Sequence, residues 1–279
     1  MRVKKGKPYG VFGLLLLCSV MLVLVSCVRS QDTEHPEQED FPEIRIGIAR
    51  LEPFIYVDYS GNYAGIDAEI AAEACRRAGY RPVFKEIPWS ERDEYLFDGS
   101  VDCLWTAFAM DWHEQDYLWT DSYLSSDMVV LVEERYPSKT LDDFDGPGGI
   151  AVCVGSAAEE VLTRKANASA AHIEMIHAYG SVSMASISFV KGYTDALASY
   201  EIVLRQLIHD NPGQYHYLGE PIMTAHLGVA FAKDGNREMV QKLSEALESM
   251  KKDGSISAIT KKYEMVLWEQ EEESADDAS

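Results

Sequence analysis

From Glu43 onward the chain alternates runs patterned as strands with runs patterned as helices, and this alternation confines it to an α/β fold with a largely parallel sheet. Ile44, Ile46 and Ile48 alternate with Arg45 and Gly47, the period of two that puts one face of a strand in a core. Ile66, Ile70, Ala74 and Ala78 recur at helical spacing and stop at Gly79, so a helix is expected over 66–78. Further strands are predicted over 82–87, 101–106, 127–133, 150–154, 173–176, 193–197 and 228–231. Between them fall a short helix with Ser90 as N-cap and Asp93 three positions on, and a helix opened by Gly155-Ser156 with Glu159 at the capping-box position. Helices are also expected over 181–190, 199–209 and 239–250, and from Ser255 to Tyr263. Turn-rich residues 136–140 mark a domain boundary. No internal repeat is visible.

Ahead of this region stands a leader. Residues 1–10 carry Arg2, Lys4, Lys5 and Lys7 without an acidic residue, and residues 11–25 are apolar. These are the charged and hydrophobic regions of a secretory signal, and the apolar run is shorter than the roughly 20 residues a spanning helix needs. Its end, Leu24-Val25-Ser26-Cys27, resembles the lipobox of bacterial lipoproteins. Residues 1–26 are accordingly expected to be a lipoprotein signal peptide, with Cys27 lipidated and holding the mature protein to the outer side of the cell membrane.

Loss of the four basic residues in the leader leaves 21 Lys and Arg against 46 Asp and Glu, a net charge of −25. Nucleic acid and anionic headgroups are poor partners for such a surface, because binding them takes clustered Lys and Arg. Residues 31–43 and 268–279 each hold six acidic residues without an apolar period, and read as solvated segments. The first makes 27–41 a flexible tether, and 269–279 a disordered tail. Cys75, Cys103 and Cys153 remain, without the spacing of a disulfide framework or a metal site. They read as small buried hydrophobes, with a Cys75 to Cys103 bridge as the minor alternative. No cofactor or metal is expected.

The order of elements, together with particular words, resembles the extracytoplasmic solute-binding proteins of polar amino acid ABC transporters. The words are Ile44 to Ile48 with Pro53-Phe54, Gly61 to Asp67, Trp89, Leu96 to Asp102, Trp119 to Tyr123, Gly155-Ser156 and Gly192 to Ala196. The resemblance implies a two-lobed periplasmic-binding-protein-like fold of type II, each lobe a central sheet flanked by helices, joined by two crossing strands. Lobe one would be 42–132 plus 226–268 and lobe two 137–222, with crossings near 130–133 and 223–226. It also implies a monomer that closes on a small-molecule ligand and presents it to a transporter permease.

The resemblance further implies an arginine after the third strand that grips a ligand carboxylate, and an acid on the second lobe that takes its ammonium. Here the first position holds Glu114, or His113 if one residue is deleted, and the second holds Tyr200. A glutamate repels a carboxylate and a histidine is only partly charged near neutral pH. The ligand is therefore expected to be a small polar solute, an amino acid or a related amine or aromatic metabolite. Gly155-Ser156 offers backbone N–H groups at a helix start. Thr106 and Ala107 match positions that meet the polar head of the ligand, and Phe54, Trp89, Phe108 and Tyr200 match cleft positions. Trp105 reads as core, Asp111 as a cap and His113 as an isolated, exposed residue. Two rival functions are a ligand-sensing lipoprotein working through a separate receptor and, more remotely, a dehydratase-like enzyme. The absence of a Ser/His/Asp set, a P-loop or an HExxH word favours a protein that is not an enzyme.

Overall fold

The computed structural model describes residues 41–167 and 175–264. The leader, Cys27, all but Phe41 of the tether, and the acidic tail lie outside the described residues. Among the described residues no helix is long and apolar enough to cross a membrane.

Two mixed sheets organise the chain. The first has the order β4-β1-β5-β13-β6. Its strand β1 (Glu43–Ile48) runs parallel to β4 (Arg81–Glu86) and β5 (Cys103–Leu104), while β13 (Ala230–Phe231) lies antiparallel between β5 and β6 (Leu118–Trp119). The second has the order β11-β7-β10-β8-β9 with β12 also on β7. There β8 (Ile150–Cys153) is parallel to β9 (Ile176–Tyr179) and to β10 (Ala196–Tyr200). The ten-residue β7 (Leu124–Glu133) is antiparallel to β10, to β11 (Tyr215–Tyr217) and to β12 (Met223–Leu227). A small hairpin of β2 (Tyr56–Val57) and β3 (Tyr63–Ala64) completes the strands.

Helix α1 (Ile66–Ala78) buries Ile66, Ile70, Ala71, Ala74 and Cys75 and ends on Gly79, whose φ of 76° closes the last turn. Its start has no side-chain cap. The carbonyls of Pro53 and Phe54 take the N–H groups of Ile66 and Asp67 instead, at 3.0 and 2.7 Å. Gly65 makes that approach possible: it adopts φ 116°, ψ 172°, a region open essentially to glycine, and a Cβ there would sit 2.4 Å from the Phe54 oxygen. Helix α2 (Arg92–Phe97) packs on β1 and β5, whereas α3 (Ala157–Asn167), α4 (Val182–Val190) and α5 (Glu201–Asp210) flank the second sheet. Helix α6 (Arg237–Lys252) packs on α1, and α7 covers 255–264.

Several expected boundaries shift. Ser90 is no N-cap: residues Trp89–Glu91 form a 3-10 turn entered from Pro88, and α2 follows it with no side-chain cap. The strand expected over 101–106 shrinks to Cys103–Leu104, and the chain turns beyond it at Ala107, whose φ is 39°. The strand expected over 193–197 is β10, three residues later. Tyr193 is 75% exposed and belongs to a turn, while pairing with β7 and β8 defines the strand. The strand placed at 173–176 begins at Ile176, its earlier residues lying partly outside the described ones. Residues 128–133, placed before the lobe boundary by the sequence, pair with β10 and β11 of the second sheet. Cys75, Cys103 and Cys153 are buried free thiols.

Candidate functional site

A cavity of about 620 Å³ lies between the ends of the two sheets. One wall comes from the segment after β1, the turn at Trp89 and the segment after β5. The other comes from the start of α3, the loop before α4 and the end of β10. Of the residues expected to hold ligand, Trp89, Thr106, Ala107, Phe108, His113, Gly155, Ser156 and Tyr200 line it. Phe54 and Glu114 are not among the lining residues. Phe54 is fully buried and stacks edge-on against Tyr200 at 5.5 Å, so it supports the wall without forming it. Glu114 is exposed in the turn before β6.

The floor is a hydrogen-bonded chain that joins the two sheets. Tyr200 ends β10 and donates its hydroxyl to the Ala107 carbonyl at 2.7 Å. The Ala107 N–H donates in turn to Asp67 at 2.6 Å, and the Tyr123 hydroxyl donates to the other Asp67 oxygen at 2.7 Å. Asp67 is 1% exposed. Burial pushes its carboxyl up to about 7, against the pull of the two donated bonds. Burial likewise raises the Tyr200 hydroxyl, with the Asp67 and Asp111 charges adding, so it stays a donor. The left-handed φ of Ala107 is strained for a residue with a side chain, and bonds at both ends of the residue hold it there.

Above this floor the walls are aromatic and small-polar. Trp89 and Phe108 meet edge to face at 5.0 Å, and Thr106 accepts the Ala49 N–H at 3.1 Å. Ser156 accepts the Glu159 N–H at 3.3 Å, while the Glu159 carboxylate takes the Gly155 N–H at 2.6 Å. The expected capping box is thus formed with its return bond shifted one residue towards Gly155. At the rim Arg50 pairs with Glu86 at 2.9 Å, both side chains about half exposed, which makes the pair weak.

His113 is neither isolated nor exposed, contrary to its reading from sequence. Nδ1 stands 2.9 Å from Asp116 and Nε2 stands 3.0 Å from Glu160 of α3, so the ring bridges the two sides of the cavity. Beside it Arg164 of α3 lies over the Trp112 ring at 4.8 Å. Trp112 holds this position with a φ of 68°. Asp111 does not cap a helix. It accepts the His226 N–H at 2.8 Å and pairs with its ring at 3.0 Å. Trp105 is fully buried, as its strand pattern suggests. The sequence reading missed Asp67, Met128, Cys153, Ser181 and Ser199, of which all but Asp67 line the cavity. Burial pushes the Cys153 thiol up to about 11, so it is a neutral wall group. Only Asp67 carried a signal, the Gly65-Ile66-Asp67 word.

Comparison with known proteins bears on the fold that carries this cavity. Residues 44–265 match the family described as "Bacterial extracellular solute-binding proteins, family 3". A "Probable histidine-binding protein" of Neisseria gonorrhoeae is 23% identical over 255 residues, covering 89% of this chain and 92% of that one. The L-cystine-binding protein TcyA of Bacillus subtilis (strain 168) is 27% identical over 214 residues, covering 76% and 77%. Among solved structures, an ancestral arginine-binding protein bound to arginine superposes with a TM-score of 0.70 at 24% identity, over 79% of this chain and 97% of that one. A substrate-binding protein of an ABC uptake transporter from Streptococcus pneumoniae with bound histidine gives 0.71 at 21% identity, over 79% and 92%.

Proposed function

The chain belongs to the bacterial extracellular solute-binding proteins, family 3, and we propose that it captures an amino acid or a closely related small polar solute between two lobes and delivers it to an ABC importer. It is a binding protein and not an enzyme, as the relatives it matches are. The first sheet would carry lobe one, the second sheet lobe two, and the paired strands β7 and β12 the crossing between them. Cys27, if lipidated, would hold the protein at the outer face of the cell membrane, next to the permease it serves.

The observation that supports this reading is the cavity walled from both sheets, with Tyr200 bonded across it to Ala107. A ligand can favour closure only by its differential affinity for the closed state, so it must touch both walls. The neutral floor and aromatic sides suit a solute with a flat or apolar side chain and one strongly polar end.

Thermal shift of the purified full-length chain with L-histidine, L-arginine and L-cystine tests it, because a ligand of the native state raises the melting point by mass action. At least one is expected to bind. Trp89→Ala removes a wall and is expected to weaken that binding by about 100-fold. Tyr200→Phe keeps the ring against Phe54 but strands the Ala107 carbonyl in the closed form, and should weaken binding about tenfold through a less populated closed state. Full ligand response in both variants would show that the solute binds elsewhere.

A further inference from the structure

His113 meets a carboxylate at each of its ring nitrogens, one from either side of the cavity. Nδ1 faces Asp116 of its own turn at 2.9 Å, and Nε2 faces Glu160 of α3 at 3.0 Å. The backbone fixes the place of the ring. The His113 N–H donates to the Met110 carbonyl, while the His113 carbonyl accepts the Asp116 N–H and the Trp119 indole N–H, each at 2.9 Å. A neutral imidazole has one N–H and one bare nitrogen, so in either tautomer a lone pair would face one of these carboxylates. Ionised carboxylates only accept. The imidazolium, with a donor on both nitrogens, suits both.

The other charged groups around the ring come in opposed pairs. Arg92 and Asp93 of α2, and Lys233 and Asp234 beyond β13, share a hollow with His113, Asp116 and Tyr117. Arg50 and Glu86 line the cavity with His113 and bond each other. The Tyr117 hydroxyl keeps its proton and donates it to Asp93. On α3 the Arg164 guanidinium takes the other Glu160 oxygen at 2.5 Å, and it lies over the ring of Trp112, the neighbour of His113. Two residues before His113, Asp111 pairs with His226 of β12. Each pair sums to zero, which leaves Asp116 as the surplus charge beside the ring.

We propose that His113 is a proton-dependent clasp: protonated, it ties the turn before β6 to α3 across the cavity and holds the cleft shut on its solute. The clasp rests on the solute-binding reading of the cavity and adds a control to it. Asp116 stands on the side of the first sheet and Glu160 on the side of the second, so opening would leave the ring with Asp116 alone. Proton binding and closure therefore favour each other. Closing takes up protons, and affinity for the solute rises as pH falls. The gain is complete where the ring is already protonated in the open form, and it is lost as pH rises through the histidine range. The His113 and Glu160 side chains are 22% and 25% exposed, which holds the effect to about fivefold across that range.

Calorimetry on the full-length chain and on His113→Gln, with L-histidine, L-arginine and L-cystine at about pH 5.5 and about pH 7.5, tests the clasp. The variant keeps an amide donor and acceptor but cannot be charged, and the solute's own titration is common to both proteins. The ratio of acid to neutral affinity should be about fivefold greater in the native chain, with protons taken up on binding. Glu160→Gln should lose that excess too, because a side-chain amide can donate to the bare nitrogen of a neutral ring. His226→Gln leaves the clasp in place and should keep it. An equal ratio in the native chain and His113→Gln, even with affinity lowered at both pH values, would identify a structural histidine and overturn the clasp while leaving the solute-binding reading intact. If none of the three solutes binds, the amino-acid reading falls, and small-angle scattering of the solute-free chain decides on the clasp. A radius of gyration that grows from the acid to the neutral pH in the native chain and not in His113→Gln supports it; an unchanged radius overturns it.

Discussion

Asp67→Asn is expected to stabilise the protein above about pH 7 and to remove a fall in stability between about pH 4 and pH 7. In the unfolded chain this carboxyl ionises near 4, whereas in the fold burial keeps it protonated up to about 7. Below pH 4 it is neutral in both states and costs nothing. As pH rises from about 4 to about 7 only the unfolded chain loses the proton, so the folded state loses ground. Above 7 the loss stays constant, on the order of 4 kcal/mol for a shift of this size. Asparagine keeps an acceptor for the Ala107 N–H and presents an N–H to the Tyr123 oxygen, so it should recover about 1–3 kcal/mol of that amount at alkaline pH. Urea denaturation of both proteins across this range gives a difference curve in which other carboxyls cancel. A flat difference curve would mean that Asp67 is ionised in the fold at every pH tested.

A larger loss is expected from Gly65→Ala. The added methyl has to share space with the Phe54 oxygen at 2.4 Å and the Pro53 oxygen at 2.7 Å. Neither can move freely, since they accept the first N–H groups of α1. The backbone conformation is also closed to alanine. Strain and broken caps together should cost about 4 kcal/mol or more, enough to unfold much of the population of a marginally stable domain. The effect reaches the cavity as well, because Asp67 sits on the first turn of α1 and holds Ala107 in place. Denaturation midpoints of the two proteins check this, and a difference under about 1 kcal/mol would mean that the loop at Pro53 can retreat from the helix.

Features set by neighbours in the chain are legible in the sequence. Helix α1 and its Gly79 terminus follow from Ile66, Ile70, Ala74 and a glycine, and the start of α3 from Ser156 and Glu159. Features set by distant partners are not. An aspartate in the first turn of a helix usually faces water, and nothing local says that Tyr123 and Ala107 enclose Asp67. His113 reads as isolated because its counterpart, Glu160, lies on another element. The sequence misplaces strand β10 since Tyr193 and Thr194 have strand-like side chains, while its true bounds depend on β7 and β8.

The position of β13 bears on how the molecule is made. Its residues 230–231 are the inner strand that pairs β5 with β6, yet all strands of the second sheet, 124–227, precede it in the chain. The second sheet needs nothing beyond residue 227, whereas the first cannot be completed until residues 230–231 are in place. Any fragment that stops short of residue 230 would therefore lack the middle of its own first half.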